Sequence, residues 1–210
     1  MEGGIMSNYK LTYFDINGGR AEPLRIGFHI AGIDFEDNRI SFPEFAELRS
    51  SMPFNAVPVL EIDGVQITQS NAMSRFIGKK AGLYPVDDVQ ALYCDEVLEA
   101  FEDLTHYIVR TFGLQGEELK LAREKLVDGW MSTYLKGLEK LLQRGGGEYY
   151  ADNQLTMADI RSFVQIRSLC SGSLDHIPVD IVQRVAPGLV EHQARIGSDS
   201  RIAGYYATHG

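Results

Sequence analysis

The segment AVPVLEIDGVQITQS, residues 56–70, carries the strongest fold signal in this chain. Within it, two strand-like runs, VPVLEI and VQIT, flank the pair Asp63-Gly64, which favours a tight β-hairpin. The helical pattern SNAMSRFIGKKAG follows and reaches Gly82, a residue type that commonly ends helices. The segment therefore predicts two antiparallel strands followed by a helix.

Upstream of this segment, the pattern predicts a β-α-β unit. The runs KLTYF and FEDNRI are typical of strands, and EPLRIGFHIAG between them is typical of a helix, with Pro23 in its first turn and Gly32 as its stop signal. Such a unit crosses over right-handed and gives parallel strands. A β-α-β unit followed by a β-β-α unit is the plan of a thioredoxin-like domain, which we predict over residues 7–82.

Downstream, the sequence changes to long amphipathic helices. Thr156 and Asp159 in LTMADI form a capping-box-like pair at a helix start, so we expect Asp159 to be structural and not catalytic. The fold class is therefore α/β plus all-α, with an N-terminal thioredoxin-like domain followed by a C-terminal helical bundle over residues 89–210. The apolar residues that recur at helical spacing are Val89, Leu92, Tyr93, Val97, Phe101, Leu104 and Ile108, then Leu119, Ala122, Leu126, Trp130 and Leu138.

The composition argues against several classes of function. The chain carries 20 Lys and Arg against 29 Asp and Glu, and its net charge of -9 argues against nucleic-acid binding. No apolar stretch approaches the roughly 18 residues of a membrane span. MEGGIMSNYK lacks the apolar core of a signal peptide, so we expect a soluble, cytoplasmic protein. Cys94 and Cys170 are too far apart for a Cys-x-x-Cys redox or zinc motif, and we expect two reduced core thiols.

Tyr13 ends the first predicted strand, in YKLTYFDINGGRAE. Thioredoxin-like domains with thiol chemistry either supply a cysteine here or bind a small thiol, and no cysteine precedes Cys94. Lowering the pKa of a bound thiol by two units from about 8.5 needs about 2.7 kcal/mol. One charge-assisted hydrogen bond is worth roughly 1.5–3 kcal/mol, so a tyrosine hydroxyl can supply most of it. The alternative is that Tyr13 is only a packed aromatic of the strand.

Two features near the hairpin are consistent with a bound peptide. Pro58 cannot donate to a sheet ladder, so it marks either an edge strand or a cis Val57-Pro58 bond that turns the Val57 backbone toward an extended peptide. Gln69 and Ser70 stand at a helix start, where free amides form a carboxylate site, although Ser70 taken alone is better explained as a helix cap. Together with Tyr13, these residues predict a site for a small acidic thiol peptide.

The chain resembles the soluble glutathione transferases over essentially its whole length from Asn8, and within them the sigma class, which includes the haematopoietic prostaglandin D synthases. The segments NYKLTYF, GRAE, FEDNRI, MPFNAVPVLEIDG, TQSNAMSRFIG and LTMADI stand in that family's order and spacing. The resemblance implies the glutathione transferase fold, glutathione as co-substrate, no metal, and a homodimer that also binds a small hydrophobic electrophile.

The resemblance also implies residue roles. Tyr13 would hydrogen-bond the glutathione thiolate, and Arg20 would tune both the hydroxyl and the thiolate. Val57 would pair with the cysteinyl backbone, and Gln69 and Ser70 would hold the γ-glutamyl end. The full implied glutathione site is Tyr13, Phe45, Arg49, Val57, Pro58, Gln69 and Ser70 of one subunit with Asp103 of the other. The implied electrophile site is Phe14, Ile16, Thr105, Arg161 and Gln165.

One departure from the family pattern lies next to Tyr13. The pair Gly18-Gly19 stands where one glycine is usual, so Arg20 is one residue farther from the tyrosine. We expect a bulge at the glycine pair to absorb this residue and to keep Arg20 pointing toward the Tyr13 hydroxyl.

A second group of departures concerns the glycyl end of glutathione. Phe45 stands where the family often has a tryptophan and lacks an indole N–H, and Ala56 stands where lysine or glutamine is common. Arg49, in the place of a lysine, is left to hold the glycyl carboxylate. The substitutions predict weaker glutathione binding than is typical.

The function predicted from these observations is that of a glutathione S-transferase, which conjugates the activated thiolate to small electrophiles. One alternative is a glutathione-dependent prostaglandin D isomerase, although Thr105, Arg161 and Gln165 are more polar than a lipid pocket would need. The other is a weakly or non-catalytic relative that carries ligands or acts as a crystallin-like structural protein. Because the chain ends soon after AGYYATHG, we expect an open electrophile pocket.

Overall fold

The computed structural model describes residues 7–209; the first six residues, on which the signal-peptide expectation partly rests, and residue 210 lie outside it. The strands are β1 (Tyr9–Phe14), β2 (Glu36–Ile40), β3 (Val59–Ile62) and β4 (Val65–Ile67). The helices of the first half are α1 (Glu22–Ala31), α2 (Phe42–Leu48) and α3 (Ser70–Ala81). Those of the second half are α4 (Asp88–Val109), α5 (Gly116–Leu126), α6 (Ser132–Arg144), α7 (Met157–Leu169), α8 (Ile181–Val185), α9 (Pro187–Ser198) and α10 (Ser200–His209).

The four strands form one mixed sheet in the order β2-β1-β3-β4. β1 lies parallel to β2, with Tyr13 opposite Arg39, and antiparallel to β3. β3 and β4 form the predicted hairpin, in which Asp63 (φ 50°) and Gly64 (φ 85°) both take positive φ angles, as tight hairpin turns require. The predicted β-α-β and β-β-α plan is confirmed.

α1 and α3 pack against each other and against the sheet. Both helices end where the sequence predicts, because Gly32 (φ 61°) and Gly82 (φ 67°) follow them in the left-handed conformation. The shared core removes a continuous set of apolar side chains from water, which drives the packing. Its buried members are Tyr9, Leu11, Tyr13, Ala21, Leu24, Phe28, Leu60, Met73 and Ile77.

The second half packs around a larger apolar core that also contacts the first half. At the junction, the Met157 backbone N–H donates to the Leu83 carbonyl at 2.8 Å. Gly78 faces the Met157 side chain so closely that an added Cβ would lie 2.7 Å from the Met157 Cγ. The two halves therefore meet tightly along α3 and α7. None of the helices within residues 7–209 has the length and apolar character needed to cross a membrane.

The predicted capping pair begins α7, and Asp159 has a structural role. Its carboxylate accepts from the Thr156 backbone N–H at 2.8 Å, from the Thr156 hydroxyl at 2.7 Å and from the Tyr150 backbone N–H at 3.0 Å. It also lies 3.0 Å from Nε2 of His192, and both side chains are fully buried. Asp159 thus ties the loop before α7 to α9.

The predicted apolar stripe through Leu126 and Trp130 is interrupted. Residues Val127–Met131 form a π-helical turn, with Gly129 at φ -106° and ψ -108°. The wider turn shifts the faces of the helix, so Trp130 is 54% exposed and stacks on Tyr107 with ring centroids 5.2 Å apart. The expectation that Trp130 belongs to the core stripe is wrong.

Three further residues lie at the surface, against expectation. Val89 and Leu92, on the first turns of α4, are 51% and 64% exposed. Cys170 is exposed where α7 ends, so it is not a core thiol. Cys94 is buried as predicted, and burial raises the pKa of its thiol to about 12.

Candidate active site

Tyr13 lies near the C-terminal end of β1, where buried and half-buried residues alternate. Its side chain is 5% exposed and packs beside the Phe14 ring, with the centroids 5.3 Å apart. The hydroxyl oxygen accepts a hydrogen bond from the Arg20 backbone N–H at 3.2 Å. The loop between β1 and α1 therefore folds back over the tyrosine and contacts its hydroxyl through the Arg20 backbone N–H.

Gly19 makes this return possible. It has a φ of +65°, and a Cβ on it would lie 2.6 Å from the Tyr13 hydroxyl oxygen. Gly18 has a φ of +152° and nothing within 4 Å of its Cβ direction. The glycine pair thus absorbs the extra residue, and α1 still begins at Glu22.

We expected the Arg20 side chain to point toward the Tyr13 hydroxyl. The contact to that hydroxyl is instead made by the Arg20 backbone N–H. Nε and Nη2 of Arg20 both lie 2.8 Å from Oε1 of Glu102, on α4. The side chains of this pair are each 18% exposed, and Oε2 of Glu102 lies 3.7 Å from Nη2 of Arg161. Two arginines therefore share one carboxylate beside Tyr13.

Sequence reasoning missed Glu102. The resemblance drew attention to its neighbour Asp103, and adjacent residues of a helix point about 100° apart. The available signal was an acid in α4 four residues after the buried Leu98, and therefore on the same face of the helix. Glu102 is the residue through which α4 fixes the guanidinium.

A cleft of about 290 Å³ lies between the first and second halves. The Val57-Pro58 bond at its edge is cis, and Pro58 precedes β3, which pairs on both sides and is no edge strand. Within residues 7–209, the N–H and C=O of Val57 make no hydrogen bond to another backbone group. The lining residues are Arg20, Pro53, Phe54, Ala56, Val57, Pro58, Thr68, Gln69, Ser70, Glu102, His106 and Val109.

Gln69 and Ser70 close one end of the cleft at the start of α3. Gln69 has a φ of 70° and a ψ of 99°, a conformation that costs a non-glycine residue free energy and is often found at binding sites. Ser70 is the first residue of α3, and the Gln69 side chain makes no capping hydrogen bond. The free amides of this helix end and its dipole favour an anion at this point.

Phe45 and Arg49 lie beside the cleft and not in its lining. Phe45, on α2, packs with Val57 against a small buried cluster and contacts the Phe14 ring, 5.2 Å away between centroids. The Arg49 guanidinium lies 5.8 Å from the Phe45 ring centroid, and its Nε donates to the Asn55 carbonyl at 3.1 Å. Both residues support the loop that presents Val57.

The five proposed electrophile-site residues fall into two groups. Phe14 and the 41% exposed Ile16 belong to β1 and the loop after it. Thr105, Arg161 and Gln165 come from α4 and α7 and contact one another. The Thr105 hydroxyl accepts from Nη2 of Arg161 at 2.6 Å, and Arg161 and Gln165 are 3% and 8% exposed. Most of this second group is engaged in the protein interior.

Asp103 is exposed and is not among the residues that line the cleft. It accepts a hydrogen bond from the Tyr134 hydroxyl at 3.0 Å, and burial followed by this bond raises the pKa of Tyr134. With His106, Tyr107, Arg110 and Tyr134 it surrounds a surface hollow of about 400 Å³ on α4 and α6. Asp103 does not contribute to the cleft of its own chain.

A separate hollow of about 370 Å³ lies between α1, β2 and α10, away from Tyr13. Its buried Arg25 is neutralised by Glu22 at 3.2 Å and Asp37 at 3.0 Å. It lacks the free backbone edge and the helix start that the first cleft combines, so the first cleft is the candidate active site. Within residues 7–209 no group of three or more His, Cys, Asp or Glu side chains is arranged to hold a metal ion.

Two family models match the sequence and together span both halves. Residues 9–79 match the glutathione S-transferase N-terminal domain, and residues 102–209 match the glutathione S-transferase C-terminal domain. This chain belongs to the glutathione S-transferase family. It is therefore a member of a family of transferase enzymes that use glutathione as co-substrate.

Individual relatives agree with this assignment. The chain is 34% identical to glutathione S-transferase 3 of Caenorhabditis elegans, over 83% of this chain and 86% of that protein. It is 29% identical to the hematopoietic prostaglandin D synthase of Gallus gallus, over 95% and 96% of the two chains. Among solved structures, prostaglandin synthase D of Nilaparvata lugens superposes with a TM-score of 0.82 at 28% identity, covering 97% of this chain and 98% of that one. The glutathione transferase fold is confirmed.

Proposed function

We propose that this glutathione S-transferase ionises the glutathione thiol with the Tyr13 hydroxyl and transfers the thiolate to small electrophiles. The observation that carries the proposal is a buried tyrosine hydroxyl bonded to the backbone N–H of Arg20, a residue that lines a cleft with both a free backbone edge and a helix start. A two-unit fall in thiol pKa needs about 2.7 kcal/mol. The Tyr13 hydroxyl, oriented by the Arg20 backbone N–H, can supply most of it.

The rest of glutathione fits the cleft by simple chemistry. The free N–H and C=O of Val57 pair with the cysteinyl backbone as an added strand, and Pro58 fixes that edge. The start of α3 at Gln69 and Ser70 receives the γ-glutamyl carboxylate. Arg49 and Phe45 lie toward the glycyl end, where Arg49 is the available cation.

Residues 7–82 are assigned to glutathione binding and residues 89–210 to the electrophile site and assembly. Phe14 and Ile16 supply apolar surface for the electrophile, whereas Thr105, Arg161 and Gln165, which the resemblance assigns to the same site, are mostly engaged with one another in the interior. A cytoplasmic location remains the expectation from composition. Assignment to the sigma class is supported by the similarity to prostaglandin D synthases.

A homodimer is also part of the proposal, with Asp103 of one subunit reaching the glutathione of the other. It is supported by exposed apolar side chains, which are costly to leave in water when they cluster. Phe54 is 80% exposed, and an apolar hollow of about 370 Å³ lies between α4 and α6, beside Trp130. A two-fold axis along α4 would cover these surfaces.

Glutathione-dependent prostaglandin D isomerisation is a second candidate, favoured by the prostaglandin synthase relatives. It uses the same thiolate, so Tyr13 keeps its role.

The test is retention on immobilised glutathione combined with conjugation of a chlorodinitrobenzene-type electrophile at neutral pH. The proposal expects retention and conjugation, with little glutathione-dependent prostaglandin D formation. Retention without either reaction would identify a ligand carrier. Prostaglandin D formation without conjugation would favour the isomerase.

A further inference from the structure

Arg161 is a buried arginine whose contacts lead to the loop over Tyr13. Nη1 lies 3.5 Å from the Gly19 carbonyl oxygen, and Nη2 donates to the Thr105 hydroxyl at 2.6 Å. Nη2 also lies 3.5 Å from the Phe101 carbonyl oxygen. Both terminal nitrogens are therefore engaged by the protein, which leaves little of this side chain to line an electrophile pocket.

The contacts continue from Arg161 to the reacting group through one carboxylate. Oε2 of Glu102 is buried and, among the described residues, accepts no hydrogen bond, and Arg161 at 3.7 Å is the cation beside it. Oε1 of Glu102 accepts from Arg20, whose backbone N–H reaches the Tyr13 hydroxyl. Helices α7 and α4 thereby hold the β1–α1 loop from the side of the second half.

The charge of Arg161 affects how strongly Arg20 can attract a thiolate. Arg20, Glu102 and Arg161 carry a net charge of +1, and burial lowers the pKa of Arg161 only to about 10, so it is charged at neutral pH. The other titratable group facing Glu102 is His106, with Nε2 3.7 Å from Oε1. With Arg161 removed, the charge of Glu102 would cancel that of Arg20. The attraction of Arg20 for a thiolate would then be largely offset.

We propose that Arg161 is a positioning residue for thiol activation: it neutralises Glu102 and holds the Gly19 carbonyl, so that Arg20 keeps its backbone N–H on Tyr13 and its charge available to the thiolate. The inference rests on the proposed role of Tyr13 and changes the role that the resemblance implied for Arg161. Arg20, Glu102 and Arg161 together carry one excess positive charge, and the negative charge of the bound thiolate neutralises it.

The test compares Arg161→Met, Arg161→Gln and Arg161→Lys with the wild type, and Arg167→Met serves as control. Arg167 is an exposed arginine of the same helix that packs on Tyr206. The thiolate absorbance of the glutathione complex should titrate about one pH unit higher in the two uncharged variants, because a positive charge near the thiolate is lost. At neutral pH, kcat/KM should fall about tenfold with the KM for the electrophile unchanged.

Arg161→Lys should recover most of the titration midpoint, and Arg167→Met should match the wild type. Arg161→Gln retains a hydrogen-bond donor to Thr105, so it carries the test if Arg161→Met does not fold. An uncharged variant with the wild-type thiolate titration would overturn the proposal. So would a variant whose only defect is a raised KM for the electrophile, since that result describes a pocket-lining residue.

A second titration separates this inference from the proposed function. In enzyme without glutathione, the tyrosinate absorbance lost on Tyr13→Phe substitution reports the Tyr13 hydroxyl alone. That difference signal should move to higher pH in Arg161→Gln than in the wild-type background. If the wild type forms no thiolate but this shift occurs, the proposed function fails and the Arg161 network stands; if the shift is missing, the network is refuted.

Discussion

The Tyr13 hydroxyl sits where it does because residue 19 has no side chain. Gly19 combines a left-handed backbone with a close approach to that hydroxyl, and the next backbone N–H donates to it. An L-residue in the left-handed region costs about 1–2 kcal/mol, and a Cβ here would also displace the tyrosine. Position 19 therefore links backbone conformation directly to the reacting group.

Gly19→Ala should destabilise the protein by about 1–2 kcal/mol and reduce kcat/KM at least tenfold, because the added methyl group displaces the Tyr13 hydroxyl. Gly32→Ala is the matched control, since Gly32 has a similar φ of +61° with nothing within 4 Å. Urea unfolding and steady-state kinetics measure the two effects. Equal loss of stability with equal activity in both variants would show that Gly19 does not position Tyr13.

At the scale of elements, α7 is the helix that connects the stability of the second half with the site. Its first turn is fixed by Asp159, which satisfies two backbone amides and faces a buried histidine. Two residues later, Arg161 points to the β1–α1 loop. Disrupting the start of α7 should therefore lower the stability of the fold more than it lowers the activity of the folded enzyme.

Asp159→Ala should lower the free energy of unfolding by about 3–5 kcal/mol, because it leaves several buried donors without an acceptor. Asp180→Ala is the control at another helix start. Asp180 is exposed and pairs with Arg184 at 3.2 Å on the surface, so its loss should cost less than about 1 kcal/mol. Urea denaturation of both variants gives the comparison; similar unfolding midpoints would refute the structural role of Asp159.

Local signals were sufficient for the first half of the fold. Asp63-Gly64, Gly32 and Gly82 each favour one backbone conformation, and the structure has a turn or a helix end at each. Trp130 and Cys170 were misassigned because their exposure depends on a π-turn and on the coverage of a helix end. Those features arise from packing between helices, which hydrophobic periodicity does not encode.

The residues of the candidate site could be predicted only where they lie in a short segment with a recognisable local pattern. Tyr13 and the start of α3 follow from single short segments, whereas the segment around Pro58 left a cis Val57-Pro58 bond and an edge strand as alternatives. The contacts of Glu102 and Arg161 with the β1–α1 loop could not be predicted in this way. They depend on which faces of α4 and α7 meet that loop, and the sequence alone does not show this.

In the molecule as a whole, the outer face of α4 and α6 is the surface that the proposed dimer would bury. Asp103 lies on this face with the exposed Trp130 nearby, and it does not line the cleft of its own chain. A cross-subunit role for Asp103 therefore requires a symmetric partner.

Sedimentation should give a dimer with twice the 23.4 kDa chain mass. Asp103→Ala should raise the Kd for glutathione roughly tenfold or more, because it removes a charge-assisted contact worth about 1.5–3 kcal/mol. Asp180→Ala, at the start of α8, removes a carboxylate that pairs with Arg184 and should leave the Kd unchanged. An active monomer at assay concentration would contradict the cross-subunit role.

We propose that the Tyr13 hydroxyl stabilises the glutathione thiolate, and thiolate absorbance measures this directly. Titration of the glutathione complexes of wild type and Tyr13→Phe should show a midpoint about one to two pH units higher in the variant. The Kd for glutathione should change little, since the hydroxyl contacts the sulfur and not the peptide. Coincident titrations of the two complexes would contradict the account and leave Tyr13 as a packed aromatic of β1.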